Sequence, residues 1–429
     1  GIRHRSPSRG LGDVYKRQEI ITGIKKNSEE LSSSLNPSRF LLNLQGENRD
    51  TLLEEVFSIL GRSNSSLKQM HQLTLQSHFS LLLVIEIEEV NLGSLKDELE
   101  KLDSVKAEFQ KIPESSETSS KHSYILTLLG KEISPSLLDS LLGHLRNQNL
   151  KVKSISPLEA ERVQVFEIKL VSNEPVIRQK LMSELLELRM QHQLDLALQP
   201  DDLFRRNKRL IFLDADKTFI QCEMIDEISR IAGSEEIVKK ITSKAMNGEI
   251  DFREALLQRV ETLKGVRLSD LQRLILNIPY TPGVGRLIRI LKMLGYKIGI
   301  VSGGFSIVID HIRSRFDLDY GLANTLEIKD GFLTGRILGD IIDGPMKANL
   351  LREVSQREKI PLEQVIAVGD GANDLEMLSE ASLGIAFNAN RFLRERASGS
   401  LSLPNLDALL YFLGIPRNEV ETLENLRQT

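Results

Sequence analysis

Two carboxylates stand two residues apart at the end of an apolar run in LIFLDADKT, where Asp214 and Asp216 follow Leu210, Ile211, Phe212 and Leu213. An apolar strand ordinarily stops on Gly, Asn or Pro, so acids at its tip point to chemistry rather than to turning. Two further apolar runs end in a comparable way. KIGIVSGGF carries Ser302, Gly303 and Gly304, and VIAVGDGAND carries Asp370, Asn373 and Asp374. In a parallel sheet these three tips face one crevice at the carboxyl ends of the strands. Carboxylates crowded there repel one another and must be compensated by a cation. With oxygen ligands and no His or Cys cluster nearby, the cation they suit is Mg²⁺, which keeps waters and leaves room for a phosphate.

The elements that must position these tips are legible in the periodicity. After Gln199 the chain alternates apolar strands with helical patterns, which predicts an α/β domain over residues 205–429 with a doubly wound, mainly parallel sheet. LIFLDAD, KIGIVSGG, TLEIK, VIAVGDGAND and LGIAF are its expected strands. Residues 224–294 separate the first two, too many for a simple crossover, so a helical cap is expected at about 222–290.

Upstream, RFLLNLQGENRDTLLEEVFSILGRSN and YILTLLGKEISPSLLDSLLGHLRNQN align as strand, Gly-containing turn and amphipathic helix. Each continues with two strands, a second helix (around 95–102 and 176–190) and a last strand. That βαββαβ order is ferredoxin-like, over residues 37–112 and 122–200. PESSETSSKHS between them reads as a linker. Residues 1–36, which open GIRHRSPSRGLGDVYKRQ, have no periodic apolar face and read as a disordered tail or an assembly scar.

Bulk properties narrow the partners. The 429 residues are 41% apolar and 27% charged with a net charge of −4, so no large basic field is available for nucleic acid. The single cysteine, Cys222, has no internal disulfide partner, which fits a reducing cytoplasm. No apolar run approaches the roughly 18 residues that span a bilayer, so no membrane association is expected.

DADKT, VSGGF, a downstream lysine and GDGAND together resemble the haloacid dehalogenase superfamily of aspartate-nucleophile phosphotransferases. FLDADKTFIQCEMIDEISRIAG, KAMNGEIDFREALLQRVETL and LDYGLANTLEIKDGFLTG extend the likeness to its phosphoserine phosphatase family over residues 210–412. The resemblance implies hydrolysis of O-phospho-L-serine to L-serine and phosphate, the final step of serine biosynthesis, through an aspartyl-phosphate. It makes Asp214 the nucleophile and Asp216 its partner in proton transfer. Mg²⁺ would be bound by the Asp214 carboxylate, the Asp216 carbonyl and the Asp370 carboxylate, with Asp374 in support. Ser302, the Gly303 N–H, Thr218 and Asn373 would meet the phosphate, and Lys347 in DGPMKANLL would neutralise the phosphoryl group. From the cap, Glu223 would read the substrate ammonium and Arg259 its carboxylate, with Met246 and Phe252 as apolar walls.

One position departs from the family pattern: Lys217 stands where DxDST has Ser. A long cation there could bind phosphate, lower the pKa of Asp216 or point away. The repeats resemble tandem ACT domains, which implies an amino-acid effector, and exposed ferredoxin-like edges are consistent with a homodimer. Two other readings stay open: a phosphatase or phosphotransferase for another small phosphomonoester, and an amino-acid-sensing regulator with a decayed catalytic domain. Intact Asp214, Asp216, Lys347 and Asp370 weigh against the second.

Overall fold

The computed structural model describes residues 37–113, 120–159 and 163–426. The expected tail at 1–36 and residues 114–119 of the expected linker lie outside the described residues. Contacts divide the chain into two compact units, with the boundary at Ser119–Ser120, and each is described by itself.

In the first unit β1 (Ser38–Glu47) buries Phe40, Leu42 and Leu44, every second residue, as a strand with one core face does. α1 (Leu52–Arg62) buries Leu52, Val56, Ile59 and Leu60, a stripe at three and four spacing that covers that face. β2 (Ser66–Leu75), β3 (His78–Ile87), α2 (Glu89–Leu99) and β4 (Val105–Lys111) complete the module. Its antiparallel sheet has the order β2-β3-β1-β4, so β2 is an edge strand, exposed along its whole length.

The second unit begins with the repeat of this pattern: β5 (His122–Gly130), α3 (Pro135–Asn147), β6 (Lys151–Glu159), β7 (Gln164–Ser172), α4 (Arg178–Glu184), α5 (Leu186–Gln191) and β8 (Asp195–Pro200). The single helix expected at 176–190 is two short ones, meeting at Leu185. Next comes β9 (Leu210–Leu213), followed by the cap helices α6 (Met224–Ala232), α7 (Glu235–Met246), α8 (Phe252–Glu261) and α9 (Leu268–Ile275). The chain leaves the core at Ile220 and returns at Tyr280, and these two residues pair as an antiparallel bridge. Rings of Phe219, Tyr280 and Phe316 meet edge to face with centroids 5.0 to 6.3 Å apart and anchor that neck. α10 (Val284–Met293), whose first residues fall within the expected cap at about 222–290, instead buries Leu287, Ile288, Ile290 and Leu291 in the main core.

The rest alternates as expected: β10 (Lys297–Phe305), α11 (Ser306–Phe316), β11 (Tyr320–Lys329), β12 (Phe332–Leu338), α12 (Gly344–Glu358), β13 (Val365–Gly369), α13 (Leu375–Glu380), β14 (Leu383–Phe387), α14 (Arg391–Arg394), β15 (Gly399–Leu401), α15 (Leu409–Phe412) and α16 (Arg417–Leu426). β9, β13 and β14 are buried on both faces, which is why they read as unbroken apolar runs. TLEIK lies in the outer half of β11, where the strand leaves its parallel pairing with β10 and turns antiparallel against β12. That hairpin reaches the cap, through Gly265 N–H to the Leu333 carbonyl at 2.8 Å and Leu268 N–H to the Gly331 carbonyl at 2.9 Å.

One continuous sheet, β12-β11-β10-β9-β13-β14-β15-β8-β5-β7-β6, runs through the second unit. The second ferredoxin-like module is therefore an extension of the mainly parallel sheet rather than a bead beside it. β15 pairs antiparallel with β8, Gly399 opposite Ala197 and Ser400 opposite Leu196. A Cβ at Gly399 would lie 2.6 Å from Ala197 Cβ, so only glycine permits this approach. A buried polar patch holds the seam: Arg189 donates to Ser400 Oγ and to the Arg394 carbonyl, and Asp195 accepts from the Ser402 N–H at 2.7 Å. Replacing Gly399→Ala is expected to cost about 1–3 kcal/mol by forcing the two backbones apart. Chemical denaturation should show the module unfolding ahead of the rest of the second unit; a single unshifted transition would refute the seam's role.

Candidate active site

The register brings the three strand tips together. Leu213 is level with Ile300 of β10 on one side and Val368 of β13 on the other, so Asp214, Ser302 and Asp370 all emerge at the same rim. β9 lies where the strand order reverses, the position at which open α/β sheets form their crevice.

Lys347 enters from α12. Asp343 caps that helix by accepting the Met346 N–H at 3.1 Å, and Pro345 sits in the first turn, where its missing N–H costs nothing. One residue on, the fully buried Lys347 ammonium bonds Asp214 Oδ1 at 2.5 Å and Asp374 Oδ1 at 2.7 Å. Asp374 Oδ2 accepts the Gly371 N–H at 3.1 Å, so each oxygen of that carboxylate has one partner. It fits so closely under β13 that a Cβ at Gly369 would lie 2.5 Å from it. Asp370 is half-buried, and among the described residues no hydrogen bond or ion pair holds it.

Asp216 has a different environment. Its Oδ1 accepts the Met224 N–H at 2.9 Å, at the start of the cap, and a Cβ at Gly304 would meet its Oδ2 at 3.0 Å. Ser302 Oγ accepts the Gly304 N–H at 2.9 Å, so its own proton is available to a ligand. The Thr218 hydroxyl is buried with no partner among the described residues, while its carbonyl accepts from the Thr281 hydroxyl at 2.7 Å. Asn373 is half-buried in the turn at 372–374.

The charges do not balance. Burial, then Asp374, pushes the Asp214 carboxyl well above the usual carboxylate range. Burial and Asp374 raise Asp370 to about 7, and burial and Glu223 raise Asp216 to about 7. Burial opposes the charge of Lys347, but Asp214 and Asp374 outweigh it and hold the side chain as an ammonium. Asp214, Asp370 and Asp374 offer oxygens within 4.8 Å of one another, with one ammonium among them. Surplus negative charge on oxygen-only donors is what a hard divalent cation neutralises, so these residues fit Mg²⁺.

Among the cap residues, Glu223 stands at the start of α6, where Lys217 Nζ binds its Oε1 at 2.6 Å. Arg259 on α8 is half-buried; its one hydrogen bond among the described residues runs from Nε to the Ala255 carbonyl, 3.3 Å away. Glu223, Asp226 and Asp216 face its charge. Phe252 lies over the tip of the Ser302 loop, since a Cβ at Gly303 would meet its Cζ at 3.0 Å. Met246 is not brought to the site: it ends α7 at 84% exposure, because the apolar stripe of that helix is Val238 and Ile241.

Sequence reasoning missed Asn324. Fully buried on β11, it donates to the Gly303 carbonyl at 2.8 Å and accepts the Ile342 N–H at 2.8 Å. It therefore clasps the Ser302 loop to the segment leading into the Lys347 helix. An Asn inside the apolar strand pattern YGLANTLEI was the available signal.

Residues 211–379 match the family model of the haloacid dehalogenase-like hydrolases, and residues 38–108 match that of the ACT domain. The chain is 40% identical over 304 residues to the phosphoserine phosphatase of Streptomyces coelicolor, covering 70% of this chain and 73% of that protein. It is 48% identical over 223 residues to the phosphoserine phosphatase of Archaeoglobus fulgidus, covering 52% of this chain and 65% of that one. A crystal structure of a haloacid dehalogenase family hydrolase from Salmonella enterica serovar Typhi superposes with a TM-score of 0.59 at 29% identity, over 68% of this chain and 98% of that one. Fold and site thus define a hydrolase of the haloacid dehalogenase class. Within it, the chain belongs to the phosphoserine phosphatase family.

Two outcomes test the site. Asn324→Ala should lower kcat/KM by about 10–100-fold, chiefly through kcat, because the phosphate loop loses its support; unchanged kinetics would refute the clasp. In chelator, the folded-state pKa near 7 of Asp216 and Asp370 against 3.8 for the free group means stabilisation that is complete below about 4 and lost as pH rises through 7. The melting temperature of chelated protein should therefore fall from pH 5 to 8. Saturating Mg²⁺ should remove that slope, and coincident curves would refute a cation site.

Proposed function

We propose that this chain hydrolyses O-phospho-L-serine to L-serine and phosphate, using Asp214 as nucleophile and Mg²⁺ as cofactor. The observation that carries the reading is the pairing of a lysine-gripped aspartate in the crevice with a half-buried Arg259 that makes no ion pair among the described residues of the cap. Buried charges are ordinarily paired, and a substrate carboxylate is the partner this guanidinium lacks.

Lys347 holds Asp214 Oδ1 and so orients the carboxylate for attack on phosphorus. The phosphorus–serine oxygen bond breaks as the aspartyl bond forms. Asp216, raised to about 7, holds a proton near neutrality and passes it to the departing serine oxygen. It then takes a proton from the water that hydrolyses the aspartyl-phosphate and returns to its starting state. The Ser302 hydroxyl and the Lys347 ammonium bind phosphate oxygens throughout. The Asp214 carboxylate, the Asp216 carbonyl and the Asp370 carboxylate would hold Mg²⁺, which would supply positive charge against the repulsion between phosphate and aspartates. Asp374 supports the site through Lys347. Thr218 and Asn373 contribute to the phosphate pocket in this proposal, supported for Thr218 by its unpartnered hydroxyl.

The proposal extends to the last step of serine biosynthesis in the cytoplasm, to an amino-acid effector on the ACT-like modules and to a homodimer. The ACT match of residues 38–108 supports the effector, and the exposed edge strand β2 supports the homodimer.

Phosphate release from L-phosphoserine and a panel of other phosphomonoesters, with Mg²⁺ and with chelator, tests the reading. Mg²⁺-dependent preference for phosphoserine is expected. Asp214→Asn should lose at least about 10³-fold in kcat with the fold intact. Arg259→Ala should cut the preference for phosphoserine over esters without a carboxylate by roughly 10–100-fold, from the loss of a charge-assisted pairing. Near-normal turnover by the first variant would remove Asp214 from its role, and equal loss on every ester by the second would remove Arg259 from carboxylate reading.

A further inference from the structure

The residue that breaks the family motif is engaged with the residue that the proposed function needs for recognition. Lys217 Nζ lies 2.6 Å from Glu223 Oε1, and Glu223 is the carboxylate expected to read the substrate ammonium. The contact places one ammonium where another is due to bind. Lys217 adopts φ 55° and ψ 0°, the left-handed region that lysine seldom occupies, so the chain accepts a local strain at this residue. Both side chains stay in reach of solvent, with Lys217 55% and Glu223 33% exposed. The pair can therefore open without stranding a buried charge. Glu223, Asp370 and Asp226 surround the lysine, and Asp216 lies within range of its field.

We propose that Lys217 determines substrate selectivity by acting as a tethered stand-in for the substrate's ammonium on Glu223. The inference rests on the phosphoserine reading of the same site. An ester with an amino group displaces the lysine, or shares the carboxylate through Oε2, and the freed side chain moves into water. An ester without one leaves the lysine in place, so its extra negative charge meets a neutralised Glu223 instead of a bare anion. A bare Glu223 would reject such an ester by like-charge repulsion and an unfilled partner, the repulsive half of specificity. Lys217 removes that rejection. The wild-type enzyme is thereby broader toward phosphorylated hydroxy acids than a relative with serine at this position.

The test compares kcat/KM for L-phosphoserine and for its des-amino analogue, the phosphate ester of 3-hydroxypropanoate, in the full chain with Mg²⁺. Wild type should favour phosphoserine only modestly. Lys217→Ser should widen the ratio by about tenfold, mainly by raising KM for the des-amino ester, with kcat for phosphoserine held within about threefold. Lys217→Arg, which keeps a cation on Glu223, should retain the wild-type ratio. In a Glu223→Gln background the same Lys217→Ser change should no longer move it, since the charge that the lysine masks is gone. A ratio that stays within twofold in Lys217→Ser, or a widening that persists in Glu223→Gln, overturns the inference while leaving phosphoserine turnover as it was. Absence of wild-type activity on phosphoserine would instead bring down the function reading on which the inference stands.

Discussion

The ammonium of Lys347, buried between Asp214 and Asp374, is the interaction on which the crevice depends. Removing one partner of a buried ion pair leaves an uncompensated charge and costs about 3–5 kcal/mol. Several otherwise separate features serve that contact. Asp343 starts α12 at the residue that aims the lysine inward, Asn324 ties the approach to α12 against the phosphate loop, and Gly369 leaves room for the Asp374 carboxylate. The lysine compensates one charge among several, and the remaining surplus on oxygen donors fits a hard cation.

Asp214 and Asp216 are neighbours in sequence with different chemistry because their contacts differ. The lysine fixes Asp214, whereas Asp216 is held by a backbone N–H at the start of the cap and pressed by Glu223 from the same region. The cap neck, bridged by Ile220 and Tyr280, lies close by in the chain. The environments of Asp216, Glu223 and Arg259 thus depend on the same few cap elements. Cap geometry and acid strength are coupled by that construction.

The second ferredoxin-like module enters the catalytic sheet by way of β8 and β15, with the buried Arg189 and Asp195 at the seam. β15 follows β14, and β14 flanks β13, whose tip carries Asp370. A continuous hydrogen-bonded sheet links the module to the strands that carry the site. The two repeats, alike in sequence, therefore have different structural roles: the first makes its own four-stranded sheet and the second completes an eleven-stranded one.

Local sequence patterns were enough to indicate the elements and the carboxylates that gather in the crevice. Apolar runs long enough for buried parallel strands, each ending in Asp or Ser-Gly-Gly, announce both the doubly wound sheet and its crevice, and the repeated βαββαβ pattern announces two modules. These are local signals, carried by the spacing of residues in one segment. Tertiary structure alone decided the joining of β8 to β15, because three residues of strand carry almost no pattern and the decisive fact is a missing Cβ at Gly399 opposite Ala197. It also decided that Asn324 supports the Ser302 loop, that Met246 faces water and that Lys217 sits on Glu223. Each of those outcomes depends on where a side chain's partner comes from, and the partner lies on another element whose distance no single segment encodes.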